Sequence, residues 1–317
     1  MAQLRGMAMD SKSTTPDSVT CHVNNQGVAL LSINRPEKHN AFNAQIIQAL
    51  LAHLANLKKN PKVRCLILQS TGKHFSAGAD LNWMKSMASK SRSDNQDDAT
   101  SLAQLMSQLD TFPQPTLVRV QGFALGGALG LICCCDFAIA LHDAQFGLSE
   151  VKIGLVPATI APYVCRAIGT RQARRYMLTA ERFNADTAQH IGLIHSVAHE
   201  NEIDDLTNRF IASVLLNSPD ALSKTKALCL HCDASPIDPE LVDYTSQLIA
   251  EVRVSQQGQE GLNAFFDKRK PSWADESFSS EQLSTESSNA TFDNARFDNK
   301  TAKVDLKLGD LGEQGEQ

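Results

Sequence analysis

Val28–Ile33 (VALLSI) is an almost unbroken apolar run that reads as a strand. It ends at Arg35-Pro36-Glu37, because Pro36 has no N–H to give to a ladder. The period then changes. Ile47, Leu50, Leu51, Leu54 and Leu57 recur at three-and-four spacing behind Asn43, a good capping residue, which predicts an amphipathic helix over residues 44–58. Beyond Pro61, Val63–Leu68 (VRCLIL) is a second strand, apolar on both faces and expected to be buried. Thr116–Val120 and Asp136–Ala140 read as further strands, with helices over 100–110 and 127–135. Residues 85–99 are polar and lack an apolar stripe, so a mobile excursion is expected there. From residue 158 to about 272 the pattern is mostly helical, with candidates over 158–167, 170–179, 184–190, 201–216, 219–231, 238–254 and 258–269.

A half that alternates strand and helix, followed by a helical half, argues for an α/β core with a helical C-terminal part. Residues 1–18 are polar and aperiodic and read as a flexible arm. The acidic, Ser-rich stretch 274–317 is expected to be a disordered tail. The 317-residue chain is 42% hydrophobic and 21% charged, as in ordinary globular proteins. Its net charge of −5 gives no electrostatic reason to expect a nucleic-acid partner. No apolar run reaches the roughly 18–20 residues of a membrane helix, and residues 1–17 lack the apolar core of a signal peptide. A cytoplasmic location without membrane association is the expectation. Cys229 and Cys232 form a C-x-x-C without a second ligand pair at metal-site spacing. Cys133, Cys134 and Cys135 read as small core hydrophobes, so no metal site is expected.

Two turns are candidates for chemistry. Phe75-Ser76-Ala77-Gly78-Ala79-Asp80 follows the second strand, and Gly122-Phe123-Ala124-Leu125-Gly126-Gly127 follows strand 116–120 and opens a helix. Both place backbone N–H groups at the C-terminal ends of strands, where ligands of α/β sheets bind. The first N–H groups of a helix lack internal partners and sit at the positive end of its dipole. Such turns are either anion or oxyanion sites or simply tight turns. Neither is a phosphate loop, since G-x-x-x-x-G-K-[ST] and G-x-G-x-x-G are both absent. A G-x-S-x-G serine, which His39, His74, His142 or His195 could serve, is absent too.

Asn34-Arg35-Pro36 with Asn40-Ala41-Phe42, the two glycine turns, Phe146-Gly147-Leu148-Ser149-Glu150, Gly154-Leu155-Val156-Pro157 and Phe265–Lys270 stand in order over residues 20–273. This series resembles the crotonase (enoyl-CoA hydratase/isomerase) superfamily. The resemblance implies a ClpP-like spiral core of ββα units over 19–200 and a helical trimerisation part over 201–273. It implies an acyl-coenzyme A substrate with no separate cofactor, in a homotrimer or hexamer. The oxyanion donors would be the N–H groups of Ala79 and Gly127, with Glu150 as acid/base.

Other positions follow from the same resemblance. Lys38, Ala77, Gly78, Asp80, Leu81, Lys85, Gly126, Gly130 and Lys268 would line the substrate and coenzyme A site. Asp80 could also cap a helix beginning at Leu81, and Asp136 reads as a structural acid. Ile249 stands where some relatives stack an aromatic residue on adenine. Family hydratases carry a second glutamate at the position of Gly130, so the chain departs from the two-glutamate pattern. A single glutamate is a feature of Δ3,Δ2-enoyl-CoA isomerases. Conversely, Ala79–Met84 and Leu148–Tyr163 resemble methylglutaconyl-CoA and carboxygeranoyl-CoA hydratases. A hydratase of branched 2-enoyl-CoA, such as 3-methylglutaconyl-CoA in leucine degradation, is therefore expected first. An isomerase comes second, and a non-catalytic interaction protein last.

Overall fold

The pairing of strands, rather than their individual strength, organises the chain. In the computed structural model, which describes residues 18–274, β1 (Val19–Val23) and β2 (Val28–Ile33) form an antiparallel pair. The helix α1 (Ala44–Lys59) follows, its first turn capped by Asn43, whose side chain accepts the Ile46 N–H. Next come β3 (Cys65–Ser70), α2 (Leu81–Ala88) and α3 (Arg92–Asp110). The strands β4 (Thr116–Val120) and β5 (Phe123–Leu125) lead into α4 (Gly127–Cys133). Then β6 (Phe137–Leu141) and β7 (Gln145–Gly147) lead into a 3₁₀ turn at Glu150–Ile153 and α5 (Ala161–Thr179), which breaks at Gly169. The chain continues through β8 (Phe183–Asn184), α6 (Ala185–His190) and β9 (Ser196–Ala198). It ends in α7 (Ile203–Leu215), α8 (Pro219–Ala234), α9 (Pro239–Val254) and α10 (Gln256–Phe266).

Six strands form one sheet in the order β1-β2-β3-β4-β6-β9, parallel except at β1. A smaller sheet, β5-β7-β8, lies beside it. Parallel bridges Phe42↔Ala79 and Ser76↔Ala124 extend the smaller layer. Each pass thus runs from a long strand to a short paired segment and on to a helix, and each pass places a turn over the same edge. The large sheet packs Leu31, Ile33, Leu66, Leu68 and Val118 with α1, α3 and α4 in one apolar cluster. Val28, Cys65, Ile67, Leu117 and Ile139 join Ile203, Ile211, Val214 and Leu215 of α7 in another.

Several expectations shift. The second strand begins at Cys65, because Arg64 turns there to donate its N–H to the Gly27 carbonyl at 2.7 Å. The segment 85–99 is helical in α2 and α3 except for residues 89–91 between them, instead of forming an irregular excursion. Ser91 and Asp94 make a reciprocal capping box at the start of α3. The segment reads as polar because the first half of α3 faces solvent, and its apolar contact is carried further on by Leu102, Leu105, Met106 and Leu109. Cys134 and Cys135 are buried, and the apolar surroundings push the Cys133 thiol up to about 12. Apart from Ser18 and Ala274, the arm at 1–18 and the tail at 274–317 lie outside the described residues. Among the described residues no helix is long and apolar enough to cross a membrane.

Candidate active site

The bridge between Phe42 and Ala79 fixes the first turn. Phe42 donates its N–H to the Gly78 carbonyl at 2.7 Å, and Asp80 donates to the Phe42 carbonyl at 2.8 Å. Along a strand, successive residues direct their backbone polar groups to opposite sides. With residues 78 and 80 committed to Phe42, the N–H of Ala79 points away from it. No acceptor holds that N–H among the described residues, and Ala79 is exposed. The turn is braced from beneath. Ser76 Oγ donates to the Asn40 carbonyl at 2.8 Å and accepts the Gly78 N–H at 3.2 Å. The Asn40 amide donates to the carbonyls of Thr71 and His74 at 2.7 and 2.8 Å.

The second turn abuts the first. Ser76 donates its N–H to Phe123, and Leu125 donates to the Ser76 carbonyl, each at 3.0 Å. A Cβ built on Gly78 would stand 3.2 Å from the Leu125 carbonyl oxygen. Gly126 adopts φ 56, ψ −123 and opens α4, so Gly127 is its first helical residue and its N–H has no acceptor among the described residues. Two unclaimed donors therefore belong to turns laced together by backbone bonds, and one of them sits at the positive end of a helix.

Glu150 comes to the same place from the third turn, after β7. The N–H of Gly126 donates to the Gly147 carbonyl at 2.9 Å, which ties the two turns together. Glu150 Oε1 lies 3.0 Å from where a Cβ of Gly126 would be, so the absence of a side chain admits the carboxylate. Glu150 is half-buried, and its Oε2 is buried with no hydrogen-bond partner among the described residues. Burial raises its pKa above the ordinary glutamate value, opposed by a bond with its own N–H. A carboxyl group whose charged form is disfavoured by burial thus lies against the second turn.

The position of Gly130 is filled from outside. A Cβ there would meet Ile160 Cγ2 at 2.3 Å, Ile160 Cβ at 2.9 Å and Met106 Sδ at 2.9 Å. Apolar side chains occupy the space into which a second acid would project. Asp80 caps α2, with Oδ1 accepting the N–H groups of Asn82 and Trp83 at 2.8 and 3.1 Å. The Trp83 N–H, the Asn82 N–H and the Arg35 side chain hold its carboxyl below the usual range against its burial. Asp136 accepts the N–H and hydroxyl of Thr116 and pairs with Lys226 at 2.8 Å, a structural role. Trp83 packs at the edge of the large cluster and donates to Asp98 at 3.2 Å. His74 accepts the Phe123 N–H and stacks on that ring at 4.6 Å.

The remaining expected positions scatter. Lys38 ends the 3₁₀ turn Pro36–Lys38, Leu81 and Lys85 lie on α2, and Lys268 follows α10. All four are exposed, as is Ile249. Ala77 donates its N–H to the His39 carbonyl at 2.9 Å, within the first turn. No group of three or more His, Cys, Asp or Glu among the described residues is placed to hold a metal ion. Sequence reasoning missed Arg35, whose partner Asp80 is far along the chain, and missed Ile160 and Met106 at Gly130. Arg35 and Ile160 stand inside runs that the sequence singles out, but their partners, Asp80 and Gly130, lie too far along the chain for a local pattern to join them.

The family model for enoyl-CoA hydratase/isomerase matches residues 23–276. A crystal structure of an enoyl-CoA hydratase from Shewanella pealeana superposes with a TM-score of 0.79 at 50% identity, covering 81% of this chain and 96% of that one. The crotonyl-CoA hydratase of Syntrophomonas wolfei is 30% identical over 78% of this chain and 94% of its own length. A trans-2-decenoyl-[acyl-carrier-protein] isomerase of Streptococcus mutans is 29% identical over 78% and 94%. The chain belongs to the enoyl-CoA hydratase/isomerase family of enzymes, and its α/β architecture is the crotonase fold.

Proposed function

We propose that the protein adds water to, or removes it from, the 2,3-double bond of a branched 2-enoyl-CoA such as 3-methylglutaconyl-CoA. One observation carries the reading: the Glu150 carboxylate, with one oxygen buried and unpartnered, lies against the turn that presents the Gly127 N–H. In hydration, Glu150 takes a proton from water as the oxygen bonds to C3, and that proton, or its equivalent, is delivered to C2. The negative charge that develops on the thioester oxygen is received by the N–H groups of Ala79 and Gly127. Each such donor accounts for about 10²–10³ in rate. Burial raises the pKa of Glu150, the direction that favours a group that must both accept and return a proton.

Lys38, Lys85 and Lys268 are assigned to the phosphates of coenzyme A. Ala77, Gly78, Asp80, Leu81, Gly126 and Gly130 shape the walls beside the thioester. Coenzyme A is part of the substrate, so the reaction needs no further cofactor. Exposed Val242, Ile249, Val254, Phe265 and Phe266 on the C-terminal helices support assembly of copies through that part, as a homotrimer or hexamer.

A second reading rests on Gly130. With Ile160 and Met106 filling that space, no second acid helps to hold a water, and Glu150 could instead move a proton from C2 to C4 in an isomerisation. Assays with 3-methylglutaconyl-CoA, crotonyl-CoA and 3-hexenoyl-CoA, followed by conjugated-thioester absorbance, decide between the two. Turnover of the first substrate, abolished in Glu150→Gln, is expected. Activity confined to 3-hexenoyl-CoA would establish the isomerase instead, and undiminished turnover by Glu150→Gln would remove Glu150 from either scheme.

A further inference from the structure

We propose that Arg35 is a positioning residue for the oxyanion turn, clamping the two segments that aim the Ala79 N–H. The proposal rests on reading that N–H as an oxyanion donor. Arg35 Nη1 donates to Asp80 Oδ2 at 2.8 Å and to the Ala41 carbonyl at 3.3 Å. Asp80 follows Ala79, and Ala41 precedes Phe42, the residue bridged to Ala79. One guanidinium nitrogen therefore spans the bridge that sets the direction of the free donor.

The surroundings make this clamp more than a surface ion pair. The Arg35 side chain is 21% exposed and that of Asp80 only 9%. The Arg35 backbone is itself fixed, since its N–H donates to Asn40 Oδ1 at 2.8 Å and its carbonyl accepts the Asn40 N–H at 2.9 Å. Asp80 divides its oxygens, one capping α2 and one holding Arg35. Without Arg35, Asp80 keeps its cap but loses its only ion pair among the described residues, and the Ala41 carbonyl loses that donor. The 40–42 and 78–80 segments are then joined by the backbone bonds of the bridge and by Ser76 Oγ, which links the Asn40 carbonyl to the Gly78 N–H, with no charged clamp at the Ala41 and Asp80 end. Arg35 lies outside both apolar clusters, so its loss should move the donor more than it moves the fold.

A displacement near 1 Å can cost about 10²-fold in rate, less than or comparable to removal of a donor. Arg35→Ala is therefore expected to lower kcat by about 10–100-fold, with KM within about threefold. The test uses the full chain and whichever enoyl thioester the wild type turns over. The discriminating readout is the infrared carbonyl stretch of bound [1-¹³C]hexanoyl-CoA, a saturated thioester that cannot be hydrated. The wild type should lower that stretch relative to free ligand. Arg35→Ala should recover at least half of the shift, and Arg35→Lys, which restores a cation with donors, should fall between them.

An unchanged stretch in Arg35→Ala would overturn the proposal, whether kcat is preserved or reduced. If the wild type itself produces no shift, the oxyanion reading of Ala79 and Gly127 fails, a result distinct from failure of Arg35 alone. Should Arg35→Ala not fold, Arg35→Lys and Asp80→Asn decide on the same readings. Asp80→Asn keeps an oxygen for the cap and removes the charge that holds Arg35.

Discussion

Glu150 is held at the cost of leaving Oε2 buried and without a partner among the described residues, and that cost should depend on pH. Its folded pKa is raised, so below the ordinary glutamate value of about 4.3 native and unfolded states both carry the proton. As pH rises, the unfolded carboxyl ionises first, and stability is lost until the folded pKa is passed. Glu150→Gln removes the ionisation and should melt higher than wild type at pH 8, with the gap closing toward pH 4. A thermal-melt series with both proteins checks this, and a constant gap across pH would mean that ionisation of Glu150 is not the source. If Glu150 takes a proton from the substrate or from water, as proposed, the same shift should move the acid limb of kcat/KM upward, because that step needs its ionised form. Legibility at this scale was uneven. Ala79, Gly127 and Glu150 lie in continuous motifs and could be chosen by eye, whereas the link from Arg35 to Asp80 exists only because β2 and the turn after β3 end at the same edge.

At the scale of elements, α4 shows why local pattern is insufficient. Gly130 sits inside the helix, where alanine would be favoured by about 1 kcal/mol. Space decides the other way. An added Cβ would stand 2.3 Å from Cγ2 and 2.9 Å from Cβ of Ile160, a β-branched side chain with little freedom. Overpacking of this kind costs about 1–3 kcal/mol, so Gly130→Ala should be destabilised by up to about 2 kcal/mol net. Urea unfolding measures it. Gly130→Ala introduced into Ile160→Ala, which removes the crowding Cγ2, and measured against Ile160→Ala alone, tests whether contact with Ile160 is the cause. Equal loss in both backgrounds would place the strain elsewhere. Long elements such as α1 and β2 were readable because one period persists through them. The strands β5, β7, β8 and β9 span two or three residues each, too short for any period. The first half of α3 was unreadable for the opposite reason: it has helix caps but no buried face to print a stripe.

Over the whole molecule, the sequence suggests a strand-rich half and a helical half, yet the helical half shares a core with the sheet. Ile203, Ile211, Val214 and Leu215 of α7 pack with Val28, Ile67, Leu117 and Ile139. The Lys226–Asp136 pair ties α8 to the start of β6, and Arg64 donates to the carbonyls of Leu215 and Asn217. If these contacts couple the two parts, cutting one apolar side chain of α7 should weaken everything together. Ile211 is 4% exposed, and removing a buried side chain of this size costs about 2–5 kcal/mol. Ile211→Ala is therefore expected to shift the whole unfolding curve to lower denaturant. Far-UV circular dichroism and loss of catalytic activity should still report coincident midpoints, as a single cooperative unit requires. Activity that survived beyond the loss of helical signal would show that residues 19–200 hold the catalytic turns without α7, and that the C-terminal helices unfold as a separate part.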